Sequence, residues 1–308
     1  MSHRILITGA SGYLGGTLLA RWKDARLPTY SKLYALVRTD DQAAAVKQYD
    51  AEPITVNLED NNSIAKAITD NQITIVYYLF DAWGKTITPF IEALAEVKKS
   101  TGSDVHFLFT TGAKMFSSHA GAPTDNPLLD TDSDMYDLQK RQKGQPLVQE
   151  AIDANTRVID AAEVLGVRSY IFVPCIVYGK GEGFGNPISI QTVAIVQAAR
   201  KVRGVYKVDE GRPSWPVCHV VDNAMLYVEI LRGILEGKDI GHGKNGFYLA
   251  SSGGITWDEL YAAMAIALKK RGIVDDDNIK KADDAIMEEM GEALGCPGFA
   301  VPIQLGGK

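Results

Sequence analysis

Residues 4–15 read RILITGASGYLG, and this stretch decides the fold. RILIT (4–8) is short, rich in aliphatic residues and bounded by glycine, as expected of a strand buried on both faces of a parallel sheet. It runs directly into Gly9-Ala-Ser11-Gly12-Tyr13-Leu14-Gly15, after which GTLLARWKDA (16–25) has helical spacing. In such a strand–turn–helix, Gly9 permits the tight turn, Gly12 lets a pyrophosphate approach the backbone, and Gly15 lets the helix pack on the strand. The helix N-terminus then offers free N–H groups and a positive dipole end to phosphates. The spacing is GxxGxxG, not the GxGxxG of long-chain dehydrogenases. The stretch reads as a dinucleotide loop, with Ser11, Tyr13 and Leu14 in the grip.

Working outward, strand-length apolar runs alternate with helical segments. Strands are expected at 32–37, 53–58, 74–80, 105–111 and 169–174, and helices at 62–68, 88–100 and 146–166. Segment 112–146 carries Gly, Pro, Asp and Ser clusters and reads as a loop long enough to be functional. This alternation implies parallel pairing through right-handed crossovers, a Rossmann-type doubly wound α/β sheet. After residue 178 the rhythm changes, with helices expected at 187–203, 222–236, 256–271 and 276–294. The chain thus divides into a dinucleotide-binding part (1–178) and a smaller, mostly helical substrate lobe (179–308). That lobe is expected to interleave with the sheet and to cover the carboxyl ends of its strands. The end, CPGFAVPIQLGGK (296–308), shows no packed element.

The chain has 308 residues, 46% of them hydrophobic, enough for a large core. A net charge of -6 argues against non-specific nucleic-acid binding, which needs clustered Lys and Arg. Cys175, Cys218 and Cys296 show neither CxxC pairing nor metal-ligand spacing, so no metal is expected and the thiols fit a reducing compartment. MSHRILITGA leaves no room for a signal peptide, and no apolar run reaches membrane-spanning length. A soluble, cytoplasmic protein is the expectation.

ILITGASGYLGG resembles the opening of the extended and atypical short-chain dehydrogenase/reductases, the group that includes nucleotide-sugar epimerases and dehydratases. Four further stations match in order. Asn57-Leu58 sits where that family faces the adenine, and Leu79-Phe80-Asp81-Ala82 ends a strand beside the cofactor. Pro174-Cys-Ile-Val-Tyr178-Gly179 resembles the PxxVYG segment that meets the nicotinamide. His219-Val-Val-Asp222-Asn-Ala resembles the HVDDxA signature, with Asp222 in a capping role. The resemblance implies an NAD(P)(H) cofactor. An NAD enzyme usually ends its second strand with Asp or Glu, whereas this one ends Leu36-Val37-Arg38. A guanidinium there can pair with a 2′-phosphate, so NADP is expected, with NAD the alternative.

The family commonly uses Ser or Thr, Tyr and Lys for proton transfer. Tyr136-Asp-Leu-Gln-Lys140 is a literal YxxxK, but it precedes Gly144-Gln-Pro146, which should interrupt a continuous helix. Counting back from Gly166 and Pro174 places the family's Tyr and Lys at Leu147 and Ala151, and aligning the run FLFTTGA (107–113) after the fifth strand places its hydroxyl at Gly112, with Thr111 one place early. The usual triad is therefore expected to be missing. Thr111, Tyr136, Lys140 and Tyr178 stand as catalytic candidates, Thr110 and Thr111 end a strand facing the cofactor, and Lys114, Asp81, Trp83, Cys175 and His219 are candidates for lining the pocket. Three functions stay open: an oxidoreductase on a small carbonyl or enone, a non-catalytic redox sensor, and a non-redox isomerase or cyclase. Family members often dimerise through a helix pair. Ala151, Ala154, Val158, Ala161 and Ala162 offer a small-residue face for that, or for packing on the sheet.

Overall fold

Aliphatic runs too short for helices become the strands of one sheet, and the helical segments between them cover both its faces. The computed structural model describes residues 2–298. The first half contains β1 (Arg4–Ile7), α1 (Tyr13–Trp22), β2 (Lys32–Leu36), α2 (Asp40–Val46), β3 (Glu52–Ile54), α3 (Asn61–Asp70), β4 (Ile75–Tyr78), α4 (Ile87–Thr101) and β5 (His106–Thr110). Then come α5 (Met135–Arg141), α6 (Pro146–Leu165), β6 (Arg168–Pro174), β7 (Ile176–Tyr178), α7 (Gln191–Val202), β8 (Val205–Lys207) and β9 (Ser214–His219). The chain continues through α8 (Val220–Leu235), β10 (Phe247–Ala250), β11 (Gly253–Thr256), α9 (Trp257–Lys270), β12 (Ile279–Lys281) and α10 (Asp284–Leu294).

The main sheet has seven strands in the order β10-β6-β5-β4-β1-β2-β3, all parallel. Its strand order reverses between β1 and β4, the crevice where open α/β sheets bind ligands. One face is buried against α3, α4 and α6, with Phe90, Leu94 and Val158 among the fully buried side chains. The other face is buried against α1 and α8, through Leu18, Trp22, Tyr227 and Leu231. Ala154, Val158 and Ala162 pack on the sheet, so the small-residue face of α6 is used inside the chain.

The structure corrects several expectations. The lobe after residue 178 is mostly helical, as expected, and also carries short strands: β9 and β11 join β7 in a three-stranded sheet, and β8 pairs with β12. These strands are three to six residues long, and β9 contains Pro216, so no period-2 signal marks them. The stretch expected as helix 276–294 splits into β12 and α10. Strand β3 stops at Ile54, leaving Asn57 and Leu58 beyond it. Helix α2, capped by the Thr39 hydroxyl accepting from Gln42 N, is not apparent in the sequence pattern. Segment 112–146 is not a bare loop but holds α5 and two short 3-10 turns.

A buried amide network orders that segment. Gln142 Nε2 donates to the carbonyls of Met115 (2.7 Å) and Ala120 (2.6 Å), and Asn155 Nδ2 donates to Gln139 Oε1 (2.7 Å). Each such amide left unpaired would cost roughly 1–3 kcal/mol, so the network selects one conformation for the turn at 113–120. Residues 299–308, and with them most of the unpatterned C-terminal end, lie outside the described residues. Among the described residues no helix is long and apolar enough to cross a membrane.

Candidate active site

The dinucleotide loop has the geometry its glycines predict. Gly9 adopts φ +67°, and a Cβ there would press on the Leu79 carbonyl (3.1 Å). A Cβ at Gly15 would come within 2.9 Å of Gly9 C, so the helix lies directly on the turn. Gly12 N donates to Gly9 O (2.9 Å), and no side chain caps α1. The first N–H groups of α1, at Tyr13, Leu14 and Gly15, are therefore left for a ligand. A glycine cradle beneath an uncapped helix N-terminus at the switch point fits a dinucleotide pyrophosphate. When bound, the nicotinamide would exchange a hydride.

On the adenosine side, Arg38 is exposed just beyond β2. Its backbone N donates to Gln42 Oε1 (2.9 Å), and Gln42 Nε2 donates to Ser11 Oγ (3.3 Å). Ser11, Arg38 and Gln42 thus form one polar corner. Asn57 Oδ1 accepts from Glu59 N (3.1 Å) in a local turn, and Leu58 packs against the core. Asp81 is also locally engaged: its carboxylate accepts from Trp83 N (2.9 Å) and Lys85 N (2.8 Å). That side chain shapes the turn after β4. Trp83 is 47% exposed, and its carbonyl accepts from Arg157 (3.0 Å).

At the other end, Thr110 shares a hydrogen bond with Tyr227 OH (2.8 Å) deep in the core. Its hydroxyl is spent on packing, not presented to a ligand. Thr111 is 5% exposed, and its hydroxyl has no partner among the described residues, so an unsatisfied polar group sits at the carboxyl end of β5. Pro174 ends β6. Burial pushes the Cys175 thiol up to about 12, which keeps it protonated and poorly nucleophilic. His219, not Asp222, caps α8: its Nδ1 accepts from Val221 N (3.3 Å) while Asp222 sits in the first turn. Tyr178 lies edge-on to His219, with ring centroids 5.3 Å apart.

Tyr136 and Lys140 are brought together, but on Asp160. Tyr136 OH donates to Asp160 Oδ1 (2.6 Å) and Lys140 Nζ to Oδ2 (2.5 Å). Helix α6 runs antiparallel to the strands, and at 1.5 Å per residue Asp160 lies about 21 Å along it from Pro146. The pair therefore sits toward the amino ends of the strands, away from the dinucleotide loop. The α5 helix does stop before Gly144 and Pro146. Ala151 is buried, the backbone of Leu147 lies in α6 with its side chain outside the described residues, and Gly112 follows β5.

A cavity of about 530 Å³ opens at the carboxyl ends of β6 and β10. Phe116, Leu128, Val173, Trp215 and Leu249 supply apolar walls, and Asp125 is the only charged residue among its lining residues. The turn at 113–116 forms one wall. Within that turn, Lys114 Nζ donates to His119 Nδ1 (2.6 Å). Among the described residues, no group of three or more His, Cys, Asp or Glu is placed to hold a metal.

Sequence reasoning missed the segment Gly179–Asn186, GKGEGFGN, which folds back as a strap over the dinucleotide loop. Asn186 N donates to Ser11 O (2.9 Å), Tyr13 OH to Gly179 O (2.8 Å), and Glu182 N to Thr17 Oγ1 (3.2 Å). Arg21 pairs bidentately with Glu182. Glycine at every second position was the available signal. It also missed Gln42, Trp215 and the pairing of Lys114 with His119, whose spacing matches no helical or strand period.

The model of the NAD dependent epimerase/dehydratase family matches residues 5–242. A 4-hydroxy-2-methyl-3-oxo-4-farnesyl-3,4-dihydroquinoline-1-oxide ketoreductase of Stigmatella aurantiaca is 24% identical over 276 residues, 88% of this chain and 74% of the relative. An uncharacterized protein of Saccharomyces cerevisiae is 24% identical over 241 residues, 74% of this chain and 70% of its own. Among solved structures, UDP-glucose 4-epimerase of Thermotoga maritima superposes with TM-score 0.59 at 14% identity, covering 91% of this chain and 86% of that one. Vestitone reductase from alfalfa does so with TM-score 0.58 at 15% identity, covering 93% and 91%. Since the family model spans six of the seven strands of the sheet, the loop and the strap together, this chain belongs to the NAD dependent epimerase/dehydratase family.

Proposed function

We propose that this protein is an NADP(H)-dependent reductase of a small, neutral, largely apolar carbonyl or enone compound. The observation that carries the reading is the cavity at the carboxyl ends of β6 and β10, lined by apolar and uncharged groups with Asp125 as its one charge. A nucleotide-sugar diphosphate would need cations or a free helix N-terminus in that wall, and the lining contains no Lys or Arg. A bulky ketone suits it better, in keeping with the ketoreductase similarity. Arg38, exposed beside Ser11 and Gln42, supports NADP over NAD. The test pairs NADPH titration with turnover on a panel of aromatic ketones, quinones and enones, read as loss of NADPH absorbance. The expected outcome is turnover of at least one class. Arg38→Ala should weaken NADPH binding about 10- to 100-fold, the size of one or two charge-assisted hydrogen bonds, and leave NADH binding unchanged. Equal losses for both cofactors would remove the 2′-phosphate role.

A second reading, a dinucleotide-binding regulator without chemistry, is favoured by the placement of Tyr136 and Lys140 on Asp160. It predicts different affinities for the oxidised and reduced cofactor, and no turnover on any member of the panel.

A further inference from the structure

We propose that the ligand of the cavity at the carboxyl ends of β6 and β10 is a flat, fused-ring ketone. It lies against the bare backbone of Gly253 and Gly254 and gives an acceptor oxygen to the indole N–H of Trp215. This rests on the reductase reading above for the cavity's part as the substrate site.

Two glycines open β11, and the fold itself requires neither. Both have φ outside the left-handed region, so no turn demands them. A Cβ at Gly253 would meet nothing within 4 Å among the described residues. One at Gly254 would meet only the Trp215 carbonyl, at 3.7 Å, an ordinary contact. Glycine loses more backbone freedom on folding than alanine and packs no side chain, so the pair weakens the strand. What it leaves is room, and both residues line the cavity. A strand glycine that answers no contact within the protein marks the close approach of a ligand.

The groups beside the glycines are flat as well. Gly254 stands directly opposite Pro216 in the antiparallel β9–β11 ladder, so the pyrrolidine ring shares its face of the sheet. Pro216 lines the cavity too, and Phe116, Pro123 and Pro127 add further rings to the lining. Bare backbone and rings meet a flat ligand over a broad area, whereas a branched or sugar-like chain would touch them at points. A volume of about 530 Å³ suits about two or three fused rings.

Trp215 supplies an independent mark. It lines the same cavity, is 6% exposed, and its indole N–H has no hydrogen-bond partner among the described residues. The indole nitrogen only donates, so what it lacks is an acceptor. A buried donor left unpaired is costly, and a ketone oxygen in the cavity satisfies it. That bond sets which way round the flat ring lies.

The test uses the full chain and equilibrium dialysis against three probes. They are 2-acetylnaphthalene (a flat ketone), naphthalene (flat, without oxygen) and 2-octanone (an open-chain ketone). The double variant Gly253→Ala, Gly254→Ala should bind 2-acetylnaphthalene about tenfold or more weakly than the wild type, the scale of one misplaced methyl in a fitted pocket. Its affinity for 2-octanone should change less than about twofold and its NADPH affinity not at all, and its urea midpoint should stay or rise. Trp215→Phe keeps a ring and removes the donor, so it should weaken 2-acetylnaphthalene about three- to tenfold more than naphthalene.

A double variant that binds 2-acetylnaphthalene like the wild type overturns the proposal. So does one whose urea midpoint falls, since the glycines would then serve the fold, and so does an equal loss of the two ketones. Equal losses of 2-acetylnaphthalene and naphthalene in Trp215→Phe overturn it as well. None of these readouts needs turnover. Reduction of panel ketones that the double variant matches overturns the proposal and leaves the reductase reading standing. Glycine-dependent binding of 2-acetylnaphthalene with no reduction of any panel member supports the flat ligand and removes the reductase reading alone.

Discussion

His106 begins β5 on the amino-end side of the sheet, 2% exposed, with its Nδ1 sharing a hydrogen bond with Tyr170 OH (2.9 Å) and His3 edge-on to its ring. Burial is the main reason its pKa falls to about 3, with His3 and Arg168 adding to the shift. The unfolded chain would protonate this ring near pH 6.5, so between pH 6.5 and 3 the unfolded state binds more protons than the folded one. Stability therefore rises with pH across that window and is lost as pH falls. By pH 5 the loss is about 2 kcal/mol from this one group, a large part of a marginal total. Urea midpoints of the wild type and His106→Gln at pH 7 and pH 5 measure it. The wild type should lose more stability over that interval than the variant, and parallel losses would remove His106 as the cause.

At the scale of elements, the strap Gly179–Asn186 joins two regions more than 160 positions apart, and its packing outweighs its charges. Arg21–Glu182 is a partly exposed pair worth at most about 1 kcal/mol, so Glu182→Gln should change stability little and dinucleotide affinity hardly at all. Gly185 is different, because a Cβ there would come within 2.8 Å of the Ser11 carbonyl carbon. Backbone must move, and the backbone that moves is the dinucleotide loop. Gly185→Ala is expected to weaken dinucleotide binding at least tenfold in a fluorescence titration with NADPH or NADH, although Gly185 lies outside the loop itself. Wild-type affinity in that variant would show that the strap rides on the loop without constraining it. The dinucleotide loop could be read from sequence because its constraints are local: a strand, a turn of glycines and a helix, all contiguous. The strap could not, since its partners Ser11, Tyr13 and Thr17 are distant in the chain, and alternate glycines show a need for close approach without naming the neighbour. YxxxK, conversely, was visible as a motif, yet tertiary packing gave both its side chains to Asp160.

The whole molecule folds across the boundary that its sequence rhythm suggests at residue 178. Helix α8 buries Tyr227, Val228, Leu231 and Ile234 in the same cluster as Ile5, Leu18 and Trp22. Tyr227 also stacks on Phe172 (3.6 Å between ring centroids), and its carbonyl accepts from Tyr77 OH (2.9 Å). Strand β10 covers the edge of β6, pairing Phe247 to Ala250 with Ile171 to Pro174. At about 1.5–3 kcal/mol for each large apolar side chain, those four α8 residues alone contribute roughly 6–12 kcal/mol, as much as the net stability of a typical domain. The remainder of the lobe has its own core around Trp257 and Tyr261, but α8 and β10 tie it to the sheet. A chain ending at residue 178 would expose one face of the sheet and the β6 edge, so it should show no cooperative urea transition and bind neither NADPH nor NADH. In the intact chain, tryptophan fluorescence, which reports Trp22 beside the sheet and Trp215 and Trp257 in the lobe, should change together with far-UV circular dichroism in one transition. Two separated transitions, or a sigmoidal unfolding curve from residues 1–178 alone, would mean that the first part carries its own stability and that α8 only decorates it.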